Sequence, residues 1–380
     1  MPAMVGGFGN KNMFSFLSAS DNSSNDQTKL FNLPGTIKIG YISTEKTKET
    51  KGVPAFFNQK SSPFNFCSIN WAGGWSEELG PYLAGLIEGD GTFAVHNTSS
   101  TAKKYAPHII VVFKQSDHVF AKFLRDLTDC GAVYSKPNRG YVLWQIQDLV
   151  SVFTIVNLIN GYMRTPKIEA MQRTITWLNN YIQKSKSSKL PSTLNILSKI
   201  NPIEFKPLDN SEINSNSWLA GFSDADGNFS ISIHQRSDKN STRVLLSYRL
   251  EINQNYHRAD SQGVKASFFT IMSKLAEYLG VNVYSRSRTV KDKDFFSFTV
   301  VSHNRDSRLN LINYFNKFPL LSSKYLDYKD WVYILELQKA NSLTTAYLDK
   351  ALKIRTDYNS TRTTYTWNHL KNCYLIKENK

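Results

Sequence analysis

Cysteine is scarce in this 380-residue chain: Cys67, Cys130 and Cys373 are scattered, with no CxxC and no even framework. That argues against a disulfide-stapled secreted scaffold and a zinc site, and for a reducing compartment. No apolar run reaches the ~18 residues a spanning helix needs. Acid is in short supply as well, with 31 Asp+Glu against 46 Lys+Arg for a net +15. Such an excess suits a polyanion, nucleic acid ahead of an anionic membrane surface. The length leaves room for two domains, each with its own core.

A nine-residue pattern occurs twice, as LAGLIEGDG at Leu83–Gly91 and LAGFSDADG at Leu219–Gly227. The stretch after each copy is duplicated too. Thr92–His96 is matched by Asn228–His234, where Phe229, Ile231 and Ile233 alternate with Ser230, Ser232 and His234, the period of a half-buried strand. His108–Gln115 matches Ser247–Gln254 as a second strand. A helix at spacing 3–4 comes next, through Phe120, Phe123 and Leu127 in one half and Ile271, Leu275 and Leu279 in the other. Gly131 and Gly280 are placed to stop these helices in the left-handed conformation. The twin strands Ala132–Lys136 and Asn282–Arg286 pair with Tyr141–Ile146 and Phe295–Val301. Helices over Asp148–Ile159 and Pro166–Tyr181, and over Asp306–Phe315 and Lys324–Leu337, complete two α-β-β-α-β-β-α-α units.

The expected boundaries are a poorly ordered leader over 1–75, units over 76–182 and 216–340, a linker over 183–215 and a basic extension over 341–380. The linker, with Pro191, Pro202 and Pro207, holds neither period for long. Helical potential in the extension centres on Thr345–Ile354. The opening MPAMVGGFGN resembles a short internal piece of cytochrome c oxidase subunit I, which implies translation in frame with an upstream exon of that gene.

In a helix, residues three or four apart share a face. Ala84 and Gly85, like Ala220 and Gly221, strip side-chain volume from that face, so two such helices can approach closely while Leu83, Leu86, Ile87, Leu219 and Phe222 fill flanking cores. Glycine within a helix costs roughly 1 kcal/mol against alanine, so its presence in both copies needs a packing reason. Glu88 and Asp90, or Asp224 and Asp226, then sit at the negative end of the helix dipole, which disfavours them. A shared divalent cation relieves both that conflict and their mutual repulsion, and hard oxygen donors favour Mg²⁺ over zinc.

These residues resemble a known family: the chain looks like a monomeric, two-repeat LAGLIDADG homing endonuclease of the mitochondrial group I intron type, over about 76–340. The resemblance implies an α+β fold of two pseudo-symmetric αββαββα-type domains with a β-sheet saddle and a central two-helix interface. It implies metal binding by Asp90 and Asp226 and by the carbonyls of Gly89 and Ala225, with no direct ligation by Glu88 or Asp224. It also implies that Gln115 and Gln254 orient the attacking water, and that Lys167 and Lys324 stabilise charge on the phosphate. Two nicks across the minor groove, leaving short 3′ overhangs, would give a double-strand break with Mg²⁺, or Mn²⁺, as cofactor.

The DNA surface is expected on the sheets, since a β-ribbon fits the major groove. Ser230, Ser232 and His234 are nominated by alternation. Basic loop and strand residues are Lys103, Lys104, Lys136, Arg139, Arg236, Lys239, Arg243, Arg286, Arg288, Lys291 and Lys293, most of them directed at phosphate. With 6–10 phosphate contacts, log affinity should fall with log salt at a slope of about −5 to −9. His96 and His234 are read as strand-face residues. Two further readings share the fold: an RNA maturase acting on group I intron RNA, and a non-cleaving DNA-binding protein. Retention of both Asp90 and Asp226 favours cleavage. An intein is not expected, and neither is a membrane partner.

Overall fold

The computed structural model describes residues 74–95, 105–236, 241–290, 292–340 and 345–377. The leader up to residue 73, with its MPAMVGGFGN start, and His96, Lys103, Lys104, Lys239 and Lys291 lie outside the described residues, and of Arg236 only the backbone is described.

The first half runs α1 (Leu79–Asp90), β1 (Gly91–Ala94), β2 (His108–Lys114), α2 (His118–Thr128), β3 (Ala132–Lys136), β4 (Tyr141–Ile146), α3 (Leu149–Ile159) and α4 (Ile168–Ser185). A short α5 (Pro191–Leu197) follows. The second half runs α6 (Trp218–Asp226), β5 (Gly227–Arg236), β6 (Ser241–Asn253), β7 (Asn255–Ala259), β8 (Lys265–Ser267), α7 (Phe269–Leu279), β9 (Val283–Val290), β10 (Lys293–Ser302), α8 (Arg305–Lys317) and α9 (Lys324–Ala340). Helix α10 (Thr345–Thr356) leads into the C-terminal segment. Each half carries an antiparallel four-stranded sheet, in the matching orders β1-β2-β4-β3 and β5-β6-β10-β9. The α+β reading and the element pattern of the repeat hold.

Alternation does what the sequence predicts. In β2, Ile109, Val111 and Phe113 are buried while their neighbours are half-exposed, and in β5 Phe229 and Ile231 turn inward between Ser230 and Ser232. These inward faces pack under the helices into one core that runs through both halves. Helices α3 and α8 begin alike, with the Asp148 side chain accepting from Ser151 N at 2.8 Å and Asn304 from Ser307 N at 2.8 Å.

Four expectations need correction. Helix α2 is capped by Asp129, at φ 52°, while Gly131, also left-handed at φ 71°, lies just beyond it. There a side chain would meet Gln145 O at 2.4 Å, so glycine is required by the sheet rather than by the helix end. Gly280 caps α7 as expected, at φ 64°. Strand β2 ends at Lys114, and Gln115 opens a 3-10 turn to Asp117. The 183–215 stretch is not structureless: α4 continues to Ser185, α5 forms, and the remainder is pinned by Asn160 to Glu204 O and Lys206 N and by Asn179 to Ile203. The two-stranded β7–β8 ribbon has no counterpart among the described residues of the first half.

The basic extension forms its expected helix, α10, and then packs against the body. Leu370, Cys373 and Leu375 are buried, and Ile376 bridges Trp75 at the start of the first half.

Candidate nuclease active site

Helices α1 and α6 run side by side and meet at four levels. At the base, Ser217 N donates to Glu78 Oε2 at 2.9 Å and Ser217 Oγ to Glu78 O at 2.7 Å. At mid-height the backbones touch: a Cβ on Gly85 would lie 2.0 Å from Trp218 O, and one on Gly221 1.9 Å from Tyr82 O. No L side chain fits there, which is why both copies accept a helix-weakening glycine.

The third level carries a symmetric pair of buried cross-links. Tyr82 of α1 donates its hydroxyl to Asp224 of α6 at 2.6 Å, and Trp218 of α6 donates its indole N–H to Glu88 of α1 at 2.6 Å. Each acid also grips the loop ahead of its own half's last helix. Glu88 accepts from Arg164 N at 3.0 Å and Thr165 N at 2.6 Å, while Asp224 accepts from Leu321 N at 2.8 Å and from Ser322 N and Oγ at 3.1 and 2.5 Å. Burial raises the pKa of both carboxyls, and these donors work against it. Their geometry makes Glu88 and Asp224 structural clamps.

At the top, Gly89 faces Ala225 so closely that a Cβ on Gly89 would fall 2.2 Å from that of Ala225 and 3.1 Å from Asp226 Oδ2. Asp90 and Asp226 thus come together at the end of the helix pair, both half-exposed. Burial and the neighbouring Asp226 carboxylate push Asp90 up to about 7, against the pull of Lys324 and Lys167.

The two lysines occupy equivalent places. Lys167 Nζ donates to the carbonyls of Ile87, Gly89 and Gly91 at 3.1, 3.4 and 2.8 Å, and Lys324 Nζ to those of Ser223 and Ala225 at 3.2 and 2.5 Å. The carbonyls of Gly89 and Ala225, expected to face a metal, thus accept from ammonium groups. Burial lowers the pKa of both lysines. The largest opposing attraction comes in each case from the other half's acid: Asp226 on Lys167, and Asp90 on Lys324. Both lysines thus feel the acids of both halves.

Gln115 and Gln254 also occupy equivalent places, yet they turn to strand serines. Gln115 Nε2 donates to Ser135 Oγ at 2.9 Å and Gln254 Nε2 to Ser285 Oγ at 2.6 Å. Ser230, Ser232 and His234 lie on the outward face of β5, with 3.3 Å between the two serine hydroxyls. Arg243, Lys136, Arg139 and Lys293 are exposed on strands and hairpin turns. Arg286 is not free: it binds Glu251 at 3.0 Å, and Arg288 lies over the Phe295 ring at 5.5 Å.

Three contributors escaped the sequence. Tyr82 and Trp218 stand immediately before the leucine of each motif, so the signal was an aromatic with a polar tip repeated at one motif position. Asp117, buried after Gln115, reaches across to accept from Ser323 N at 2.8 Å. The second half has no acid there, so the duplication gave no hint.

Among the described residues no group of three or more His, Cys, Asp or Glu side chains forms a metal site, and no helix is long and apolar enough to cross a membrane. The oxygen donors at the top of the helix pair suit a hard cation nonetheless: two converging carboxylates beside helix-end carbonyls, with the Asp90 carboxyl pushed up by burial and by its neighbour.

Comparison with known proteins agrees with this architecture. The family model described as LAGLIDADG endonuclease matches residues 83–178 and again 219–335. An intron-encoded DNA endonuclease, aI3, of Saccharomyces cerevisiae is 42% identical over 100% of this chain and 83% of its own length. A 37.2 kDa protein of cox1 intron 2 in Schizosaccharomyces pombe is 27% identical over 73% of this chain and 71% of its own length. In fold, the chain is similar to the homing endonuclease I-GzeII solved with its DNA target, at TM-score 0.54 and 19% identity, covering 74% of this chain and 99% of that one. Two copies of the motif, two matches to the family model and a relative matched along the whole chain establish that this protein is a member of the LAGLIDADG endonuclease family.

Proposed function

We propose that this protein is an intron-encoded homing endonuclease of the mitochondrion, which cuts both strands of a specific double-stranded DNA site as a monomer. The observation that carries the reading is the convergence of Asp90 and Asp226, one from each half, at the top of a helix pair too close to admit side chains between them. The working halves are 76–182 and 216–340, joined by the 183–215 connector.

Asp90 and Asp226 would hold the divalent cation, Mg²⁺ or Mn²⁺, with the Gly89 and Ala225 carbonyls beside them. When bound, that cation acidifies water and polarises the scissile phosphate. The remaining chemistry falls to the chain. Lys167 and Lys324, held against the motif-end carbonyls, place positive charge beside the acid pair, where it would stabilise the phosphate. Gln115 and Gln254, steadied by Ser135 and Ser285, present amides at the ends of the inner strands β2 and β6, where they would orient water. The sheets straddle the duplex, with Ser230, Ser232, His234, Arg236, Lys239, Arg243, Lys136, Arg139, Arg286 and Arg288 supplying contacts.

A cleavage assay on an intronless exon junction of the oxidase subunit I gene tests the reading. A double-strand break that requires Mg²⁺ or Mn²⁺ is expected. Binding without any break, in either ion, overturns it in favour of a non-cleaving DNA-binding protein.

A further inference from the structure

In both halves, the chain that leaves the last core helix returns to the loop preceding that same helix. After α4, the chain brings Asp209 and Ser211 back to Arg164, whose guanidinium binds Ser211 O at 2.7 Å, Ser211 Oγ at 2.8 Å and the Asp209 carboxylate at 2.7 Å. Arg164 lies three residues before Lys167. The second half does the same with the C-terminal segment. His369 Nε2 donates to Leu321 O at 3.0 Å, and its ring stacks on Tyr325 with centroids 4.2 Å apart and planes 15° from parallel. Leu321 lies three residues before Lys324, and Tyr325 directly after it.

The segment that delivers His369 is anchored on both sides. Upstream, Arg362 binds Asp327 of α9 at 2.8 Å, and Asn359 N donates to the same carboxylate at 3.0 Å. Downstream, Tyr374 packs its ring edge-on to Tyr82 and against Phe318, and Ser76 N donates to Leu375 O at 3.0 Å. A strap therefore passes from α9, over the Lys324 loop, to the base of α1. It lies beyond residue 335, where the match to the family model ends.

We infer that His369 is a positioning residue of the second half-site: its bond to Leu321 and its stack on Tyr325 fix the loop that sets Lys324 on the Ser223 and Ala225 carbonyls. The inference rests on the reading of Lys324 as part of the cleavage site. Without the strap, the loop keeps its bonds to Asp224 and Asp117 but loses its outer support, while the Lys167 loop, held by its own connector, is untouched.

The test uses the full chain and a target duplex labelled on each strand in turn. Lys324→Ala first identifies the strand that the second half serves. His369→Ala is expected to slow nicking of that strand about tenfold or more, because small misplacements near the reacting centre are costly. The other strand should change by less than about twofold, with duplex affinity unaltered. His369→Gln, which can still donate to Leu321 O, should recover part of the loss. Equal slowing of both strands, or no slowing, overturns the inference. A second readout is independent of cleavage: in His369→Ala, amide hydrogen exchange at Leu321, Ser322 and Lys324 should quicken about tenfold, while Arg164 and Thr165 stay unchanged. Unchanged exchange at the second loop overturns the inference even if nicking slows. Failure of the wild-type protein to cleave any target would instead sink the nuclease reading and leave the exchange result to decide the role of His369.

Discussion

On the outward face of the first sheet, register places Val112 beside Leu143 and Leu143 beside Tyr134, with Ile110 next to Gln145 and, among the described strand residues, cations at Lys114 and Lys136. The corresponding face of the second sheet pairs Ser230 with Ser247, Asn228 with Arg249 and His234 with Arg243, and sets Arg286 against Ser297 and Arg288 against Phe295. The buried faces of the same strands are alike, aliphatic and aromatic in both halves. Much of the outward face differs, by contrast, with Tyr134 and Tyr284 and the Gln115–Ser135 and Gln254–Ser285 pairs as shared exceptions. A core tolerates little change of volume, whereas an outward face answers only to its partner. The halves should therefore be interchangeable in chemistry and unequal in recognition.

The acid pair tests the first part most severely. Asp90→Asn and Asp226→Asn should each lower double-strand cleavage by about a thousandfold or more while leaving duplex affinity within about twofold, because each removes half of a shared charge. Residual nicking measured strand by strand should be equally low in both variants. Ready cleavage by one of them would show that the halves are not chemically equivalent.

The helix contact comes next. Gly85→Leu and Gly221→Leu drive a side chain into the opposing backbone at 2.0 and 1.9 Å. Each should cost about 3–5 kcal/mol of stability in denaturant unfolding, and by similar amounts, since overpacking that the backbone must absorb lies at the top of the usual range. A loss below about 1 kcal/mol in either variant would mean that the helices can part.

These two predictions rest on features visible in the sequence, and the reason is local. Leu83–Gly91 and Leu219–Gly227 declare helix, close packing and paired acids within nine residues, and Asn228–His234 declares its strand by alternation. The hidden features join residues far apart in the chain. Glu88 and Asp224 read as surplus acids until Trp218 and Tyr82 are seen to reach them across the pseudo-dyad. Asp117 meets Ser323, and His369 meets Leu321, through tertiary proximity that no spacing rule encodes. The β7–β8 ribbon escaped because Asn255–Ala259 follows β6 with only Gln254 between, so the two strands read as one, although Asp260 and Gly263 do mark the turn that joins β7 to β8.

Crowding at the acid pair gives the protein a pH dependence. Burial and Asp226 raise the Asp90 carboxyl to about 7, from an ordinary value near 4. Between those values the folded protein holds a proton that the unfolded chain has released, so the Asp90 contribution to stability is present at low pH and is lost as pH rises towards 7. In metal-free buffer the melting temperature of wild type relative to Asp90→Asn should fall from about pH 4 to about pH 7, and Mg²⁺ should restore it at the upper end. A parallel pH course for the two proteins would place Asp90 in ordinary solvent.

The smallest effect separates the two sheets directly. Neutralising one phosphate contact reduces the salt slope of binding by about one unit. Arg243→Ala and Arg288→Ala should each do so and weaken binding to all sequences alike. Ile110→Ala and Val112→Ala, on the first sheet, carry no charge to release and should leave the slope unchanged. Their expected effect is on discrimination instead: an aliphatic side chain in the major groove favours the thymine methyl, so losing it should reduce preference at one or two base pairs of one half-site by about 1 kcal/mol. Competition binding against single-base variants, run at several salt concentrations, reads both quantities at once. If the first-sheet variants lower the slope as much as the arginine variants do, the apolar face does not lie in the groove, and both halves bind through charge alone.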